Sequence, residues 1–499
     1  MNILLVYPEM PDTLYAMKHV LKASGKKSVY PPLGLLTIAS LLPKEWNKKL
    51  ADTNVEDLRA DSLNWADYVF LSAMNVQEVS AKEIIEKCNK AGVKIVAGGP
   101  LFAHDHERFS TIDHFVLNEA EISLPLFIED LMQGKAKPIY QTNKFTDITQ
   151  SPIPSYELVD SNNYYFSIVQ YSRGCPFKCD FCDVTSLYGN RIRTKSSNQI
   201  IRELEMLASH SKTRSVLFAD DNLIGNKQIL KKDLLPAIIE WRKRKKPSFY
   251  FATQLTINLA EDDELIDLLL EAGFRSIFVG IETPDENALE NSGKRQNLKR
   301  NQLNDIYKLH AKGFIIAGGF IVGFDTDTES IFQQQVDFIQ QSGIPMPIVN
   351  VLKAPPGTVF YDRLKKEGRI TKQFSFAEGD TNIIPVMDKK TLNDGFMMLI
   401  DNIYAPEKSY DRMIRFFKTY SYPKTTTTIP TTFQFSEIGG AFRIIYILGI
   451  KDPGRKYFWK LFLWALRYDT KLIDMAFKNG MVMYQMHKTY QHIKSEIED

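Results

Sequence analysis

Three of the four cysteines of this chain fall within the run Ser172-Arg173-Gly174-Cys175-Pro176-Phe177-Lys178-Cys179-Asp180-Phe181-Cys182, a C-x3-C-x2-C spacing. No other cysteine or histidine lies close enough in sequence to complete a zinc tetrahedron. Short spacers let one loop curl around a face of an iron–sulfur cubane, and such clusters are held by thiolates. Three thiolates, at Cys175, Cys179 and Cys182, leave one iron for a non-protein ligand. Gly174 lets the backbone approach without a side chain in the way. Two other readings compete. A structural zinc site wants a fourth ligand, and the remaining cysteine, Cys88, sits in an apolar-periodic helix and reads as a small buried hydrophobe. A disulfide with one leftover thiol suits a secreted chain, but the first residues do not resemble a secretory signal.

With Phe181 before the last cysteine, the run resembles the signature of the radical S-adenosylmethionine (SAM) superfamily. The resemblance implies a [4Fe-4S] cluster on the three cysteines, its free iron chelated by the amino and carboxylate groups of SAM. It implies reductive cleavage of SAM to a radical that abstracts hydrogen from a substrate, with electrons from a donor such as flavodoxin or ferredoxin. Backbone around Phe181 would hold the adenine. The cofactors carry the hard chemistry, and the protein positions them and excludes water.

The length, 499 residues, suggests two to four domains. A formal net charge of +2 provides no bulk field for nucleic acid, and the basic run Trp241–Lys246 reads as a solvated helix end. The longest apolar stretch, Gly313–Phe324, is too short to span a bilayer. A start directly on a strand-like run leads us to expect a cytoplasmic, reducing location, with attachment at the periphery of a membrane as a further option.

Asn2–Tyr7, Tyr68–Ser72 and Val93–Ala97 are continuous apolar runs of the kind that form buried parallel strands. Phe115–Leu117 closes the set, and helices are expected between the strands. The fold class expected is α/β, beginning with a doubly wound, Rossmann-like parallel sheet over residues 1–137 whose ligands bind beyond the strand carboxyl ends. Candidates at that edge are Ser72, Gly98, Gly99 and Glu119. The stretch is similar to the cobalamin-binding domain that precedes many radical SAM domains. The similarity rests on PPLGL at residues 31–35, AGGP at 97–100 and EAE at 119–121, where Asn118 replaces a usual glycine. It implies cobalamin as a third cofactor, whereas the alternative is a sheet holding none. A D-x-H-x-x-G motif is missing, so no histidine is expected on cobalt.

Residues 138–164, rich in proline and polar residues, read as a linker. From 165 to 370, strands at 166–171, 215–219, 248–253, 276–280 and 314–323 alternate with helices at 197–209, 261–272, 299–312 and 328–342. That rhythm predicts a barrel or partial barrel with its site at the strand carboxyl ends. By resemblance, Asp220 or Asp221 contacts the methionyl amine of SAM, although a helix N-cap is the competing role. Gln254, and Asn258 shortly after, are candidates for the ribose or carboxylate. Gly280 would admit adenine, and Glu282 either contributes to the same site or pairs locally. Arg193 or Lys195 binds an anion or is surface charge.

Residues 371–499 read as helical, with segments at 392–404, 410–420, 440–448, 457–468 and 472–493 and a polar connection at Thr425–Thr428. The aromatic helix around Trp459 and Trp464 packs on the barrel, lines an apolar pocket or lies on a membrane surface. Residues 1 to about 410 are similar to cobalamin-binding radical SAM proteins with an extra helical region, a group that includes the hopanoid C-2 methylases. The resemblance implies methyl transfer to an unactivated carbon of an apolar, lipid-like small molecule. The alternatives are a radical SAM enzyme performing cyclisation, coupling or rearrangement, and a nucleic-acid or interaction protein with structural cysteines.

Overall fold

The computed structural model describes all residues except 212, 214, 248, 376–378, 425–434 and 499. Ser248, expected to open a strand, and the connection Thr425–Thr428 lie outside the described residues. By its contacts the chain divides into two compact units. The first comprises residues 1–11, 27–176 and 183–221, and the second comprises residues 12–26, 177–182 and 222–499.

The first unit holds β1 (Asn2–Tyr7), β2 (Asn47–Asp52), β3 (Tyr68–Ser72), β4 (Lys94–Gly98), β5 (His114–Val116) and β6 (Ile139–Tyr140). They form one parallel sheet in the order β2-β1-β3-β4-β5-β6. Strand side chains alternate between faces, and here both faces are buried. Ile3, Leu5, Tyr7, Tyr68, Phe70 and Val96 meet the helices Leu33–Leu41 and Ala120–Met132 on one side. Leu4, Val6, Val69, Leu71, Ile95 and Ala97 meet Glu78–Ala91 and Pro100–Asp105 on the other. Two covered faces explain why the strands read as unbroken apolar runs.

The order 2-1-3-4-5 is the flavodoxin-like winding, with its topological switch between β1 and β3. Sequence reading missed β2, whose NKKLAD is half polar because an edge strand is paired on one side only and partly exposed. The stretch expected as a linker opens with β6, which pairs with β5, and continues through short single-turn helices. Also in this unit are β7 (Phe166–Val169), β8 (Ser172–Arg173), β9 (Arg193–Thr194) and β10 (Ser215–Phe218). β7 and β10 are parallel, and β8 and β9 form a small antiparallel ribbon.

The second unit carries β11 (Tyr250–Gln254), β12 (Phe274–Glu282), β13 (Ile315–Val322) and β14 (Met346–Val351), all parallel and in that order. Helices Asp263–Ala272, Gln302–Lys312, Ser330–Ser342 and Val359–Lys366 follow them in turn, continuing the expected α/β alternation. The register between β12 and β13 slips at Gly280/Glu282, a bulge that leaves Glu282 at φ +65°.

Helices Lys389–Tyr404, Pro406–Thr419, Phe435–Tyr446, Arg455–Tyr468 and Ile473–Glu498 complete the unit. Buried Arg412 secures them by donating to the carbonyls of Ile344 (3.0 Å) and Ile403 (2.7 Å). Among the described residues no helix is long and apolar enough to cross a membrane. Helix Arg455–Tyr468 buries Phe458, Leu461 and Ala465, so packing is one of its roles, while Leu463 and Leu466 on the same helix are exposed.

Candidate active site

The cysteine run starts just beyond the carboxyl end of β7, where ligand sites of parallel sheets form. Gly174 has φ +91°, and a Cβ there would lie 2.8 Å from the Arg191 carbonyl and 2.9 Å from that of Gly189. The adjacent Cys175 N–H donates to the Gly189 carbonyl at 3.3 Å. The backbone is thus pressed onto residues 188–191, an approach that only glycine allows. Farther along, within the second unit, the Cys182 N–H donates to the Cys179 carbonyl (3.2 Å) and tightens the turn. The Asp180 N–H donates to the Ser292 carbonyl (3.0 Å), and the Asp180 carbonyl accepts from Phe360 (3.0 Å). Phe181 meets Phe324 edge-on, ring centres 6.0 Å apart.

Cys175, Cys179 and Cys182 form no disulfide and are half-buried. Their donor set is three thiols. The described residues contain no group of three cysteine, histidine, aspartate or glutamate side chains converging on a single-ion site. Three cysteine thiols are the kind of donor by which proteins hold iron–sulfur clusters. Cys88, in contrast, is fully buried, and burial pushes its thiol up to about 12, as befits a core hydrophobe.

β10 runs into Asp220-Asp221-Asn222. Asp220 is buried and accepts from the N–H and hydroxyl of Ser172 and from the Tyr171 N–H (3.3 Å). Burial pushes its carboxyl up to about 6 against those bonds. Asp221 is raised to about 7, first by burial and then by the charge of Asp220, although the Gly174 N–H opposes the shift. Its Oδ2 is buried without a hydrogen-bond partner, as are both amide atoms of Asn222. Asn222 precedes the short helix Leu223–Asn226 but makes no side-chain cap, so the capping role weighed from the sequence is not the one taken.

In the second unit Gln254 ends β11 exposed. Asn258 accepts from the Thr256 hydroxyl at 2.7 Å. Glu282 pairs with buried Lys294, Nζ to Oε1 2.5 Å. A Cβ on Gly280 would fall 2.7 Å from that Nζ, so the glycine makes room for the pair. Of the two roles weighed for Glu282, local pairing is what the structure displays.

At the edge of the first sheet, Ser72 lies beside Gly98 in register, and a Cβ on Gly99 would fall 2.8 Å from the Ser72 Oγ. Glu119 is turned into an ion-pair network. Arg193 grips its carboxylate with both guanidinium ends (2.8 and 2.7 Å), and the Thr146 N–H also donates to it. Arg173 holds Glu121 bidentately (3.1 and 2.7 Å) and lies 3.7 Å from Glu119. Despite the opposing effect of burial, Arg173 holds the Glu121 carboxyl below its usual range. Lys195 pairs with Glu203 at 2.6 Å. Arg193 and Lys195 therefore bind anions, but protein carboxylates rather than a ligand. Sequence reading missed Arg173, which stands beside Gly174, together with Lys294 and Gln296.

Comparison with known proteins adds a second kind of observation. Residues 169–339 match the radical SAM superfamily model, and residues 358–499 match a domain of unknown function (DUF4070). The chain is 35% identical to an uncharacterized methyltransferase of Synechocystis sp., covering 95% of this chain and 89% of that one. It is 32% identical to the hopanoid C-2 methylase of Rhodopseudomonas palustris, covering 98% and 95%. The chain belongs to the radical SAM superfamily.

Within that superfamily the fold matches the methyltransferase TsrM from Kitasatospora setae, solved with cobalamin and a [4Fe-4S] cluster bound. The TM-score is 0.60 at 14% identity, over 98% of this chain and 99% of that one. This radical SAM chain thus has the architecture of a cobalamin-dependent member from its first sheet to its last helices. The Oδ2 of Asp221 and the Asn222 amide are buried polar atoms without a hydrogen-bond partner, an exception to the usual pairing of such groups.

Proposed function

We propose that this protein is a cobalamin-dependent radical SAM methyltransferase that places a methyl group on an unactivated carbon of an apolar, lipid-like small molecule. The observation that carries the reading is the set of three thiols, Cys175, Cys179 and Cys182, on a glycine-pressed loop, in a chain related along nearly its whole length to a hopanoid C-2 methylase. When bound, the cluster, SAM and cobalamin would supply the electron, the radical precursor and the methyl carrier.

The chain's own residues hold and orient these groups. The three thiols ligate iron, and backbone at Phe181 with Gly280 borders the adenine. Asp221 accepts from the methionyl ammonium, while Asp220 fixes the strand that presents it through Ser172 and Tyr171. Gln254 completes the SAM site, while Glu282 pairs with Lys294. Ser72, Gly98 and Gly99 line the cobalamin edge of residues 1–137, and Glu119 acts there by anchoring Arg193. Residues 138–164 link that region to a radical SAM region over 165–370, and 371–499 form the helical region. A flavodoxin or ferredoxin supplies electrons.

A substrate of the hopanoid kind resides in membranes, and exposed side chains of the C-terminal helices support contact with such a surface. Phe442, Tyr446, Ile450, Leu463 and Leu466 are exposed among Arg443, Lys451, Lys456, Lys460 and Arg467, a composition suited to an anionic bilayer surface.

Methyl transfer from labelled SAM to a lipid extract, with and without cobalamin, tests the reading. Product is expected only with cobalamin, and equal product without it removes the role of the first sheet. Sedimenting the same preparation with anionic vesicles checks the surface: protein left entirely in the supernatant removes the bilayer from the reading.

A further inference from the structure

The loop Ser292-Gly293-Lys294-Arg295-Gln296-Asn297 follows helix Glu286–Asn291 and backs the cysteine run within the second unit. Three backbone and side-chain contacts bring the two together. The Ser292 carbonyl accepts from Asp180 (3.0 Å). Gly293, at φ +70°, is so close to Lys178 that a Cβ would lie 2.8 Å from its carbonyl oxygen. Gln296 Nε2 donates to Cys179 Sγ at 3.7 Å.

Between these contacts stands Lys294, a buried ammonium paired with Glu282. Burial works to lower it, yet Glu282 and the thiols of Cys179 and Cys182 hold it above its ordinary value. A charge at such a place is felt strongly, since the dielectric around buried groups is low. Reduction potentials of iron–sulfur clusters respond to net charge and to hydrogen bonds on their sulfurs.

We propose that Lys294 and Gln296 are positioning residues that raise the reduction potential of the cluster ligated by Cys179 and Cys182. Gln296 does so by hydrogen-bonding the Cys179 sulfur, and Lys294 by its buried charge, partly offset by Glu282. On reduction the cluster gains one electron from its donor and no proton. A nearby cation and an N–H donor stabilise the more negative state, so removing either makes reduction harder. Glu282 acts with opposite sign, because its negative charge opposes the added electron. The inference rests on the [4Fe-4S] reading above.

The test is an anaerobic redox titration of reconstituted full-length protein without SAM, following the electron paramagnetic resonance signal of the reduced cluster, with iron and sulfide quantified beforehand. Lys294→Met is expected to lower the reduction equilibrium about tenfold, about 59 mV for a one-electron couple. Gln296→Leu is expected to lower it by less, Glu282→Gln to raise it, and Lys294→Arg to leave it near the parent value. The proposal is overturned if Lys294→Met and Gln296→Leu, carrying full iron and sulfide, keep the parent potential. It is also overturned if Glu282→Gln shifts the potential in the same direction as Lys294→Met. Should Lys294→Met fail to load, the opposite signs required of Gln296→Leu and Glu282→Gln still decide. A parent protein without iron overturns the cluster reading instead.

Discussion

Two groups of buried carboxylates in the first unit differ in how far the protein completes them. Glu119, Glu121 and Glu203 each face a cation, Arg193, Arg173 and Lys195 respectively, and two of the three pairs are bidentate. Asp220 and Asp221, at the end of β10, face backbone N–H groups, a hydroxyl and each other. In the first group a cation stands against every carboxylate. The second keeps an unpartnered buried oxygen on Asp221 and both carboxyls raised, which leaves it short of one positive charge. Burying a charge is costly unless it is paired, so the first group is a structural tie, whereas in the second the carboxyls are raised instead.

The sharpest way to break this contrast is Arg173→Met. The change leaves Glu121 buried opposite no guanidinium, and removing one partner of a buried pair costs about 3–5 kcal/mol. The urea midpoint should fall accordingly. Arg173→Lys should recover part of the loss, because lysine restores charge but not the two-pronged geometry. A loss below about 1 kcal/mol would place the network with exposed ion pairs, whose contribution is that small.

The same contrast sets what could be read from residues alone. The cysteine spacing marks the cluster loop because its chemistry is local. β1, β3 and β4 are legible because strands buried on both faces must be apolar throughout. β2 is not, since an edge strand tolerates Lys48 and Lys49. Helix Gln302–Lys312 starts three residues later than expected at Lys299, which has φ +55°; Asn301 caps it by accepting from the Asn304 N–H. The ion pairs escape sequence reading for another reason. Arg173 and Glu121 are 52 residues apart, and no periodicity connects them. Lys294 stands in a polar loop that resembles solvated surface until the fold sets it against Glu282. Glu119 was read as a sheet-edge ligand contact because its position is right, while its partner is visible only in three dimensions.

Asp221 gives the next largest effect. In the fold its carboxyl is raised to about 7, and an unfolded aspartate ionises near its ordinary value of 3.8. The folded state therefore holds the extra proton. The stability that this contributes is fully present below about pH 4 and is lost as pH rises through about 7. Asp221→Asn removes the loss. The cofactor-free variant should be more stable than the parent at pH 8 by about 4 kcal/mol, with the gap closing toward pH 4. Asp220, raised to about 6, keeps a smaller slope in both proteins. Added SAM should reverse the order at pH 8, because the parent gains an ammonium partner that the amide variant cannot pair with. Denaturation at both pH values, with and without SAM, measures this. A variant that SAM stabilises as much as the parent would remove Asp221 from the SAM site.

Ser172→Ala tests the remaining half of the contrast, the claim that Asp220 is satisfied by neutral donors rather than by charge. The substitution removes one hydroxyl donor and leaves the Ser172 and Tyr171 N–H groups in place. A hydrogen bond to a charged group contributes about 1.5–3 kcal/mol, so a loss of about 1.5 kcal/mol is expected at pH 8, where Asp220 is ionised. That bond favours the ionised form, so its loss pushes the carboxyl further up and steepens the fall in stability between about pH 5 and 7. Below pH 5 the protonated carboxyl depends less on the donor, and the parent and the variant should converge. Equal losses at pH 5 and pH 8 would mean that Ser172 serves packing, and that Asp220 relies on its backbone donors alone.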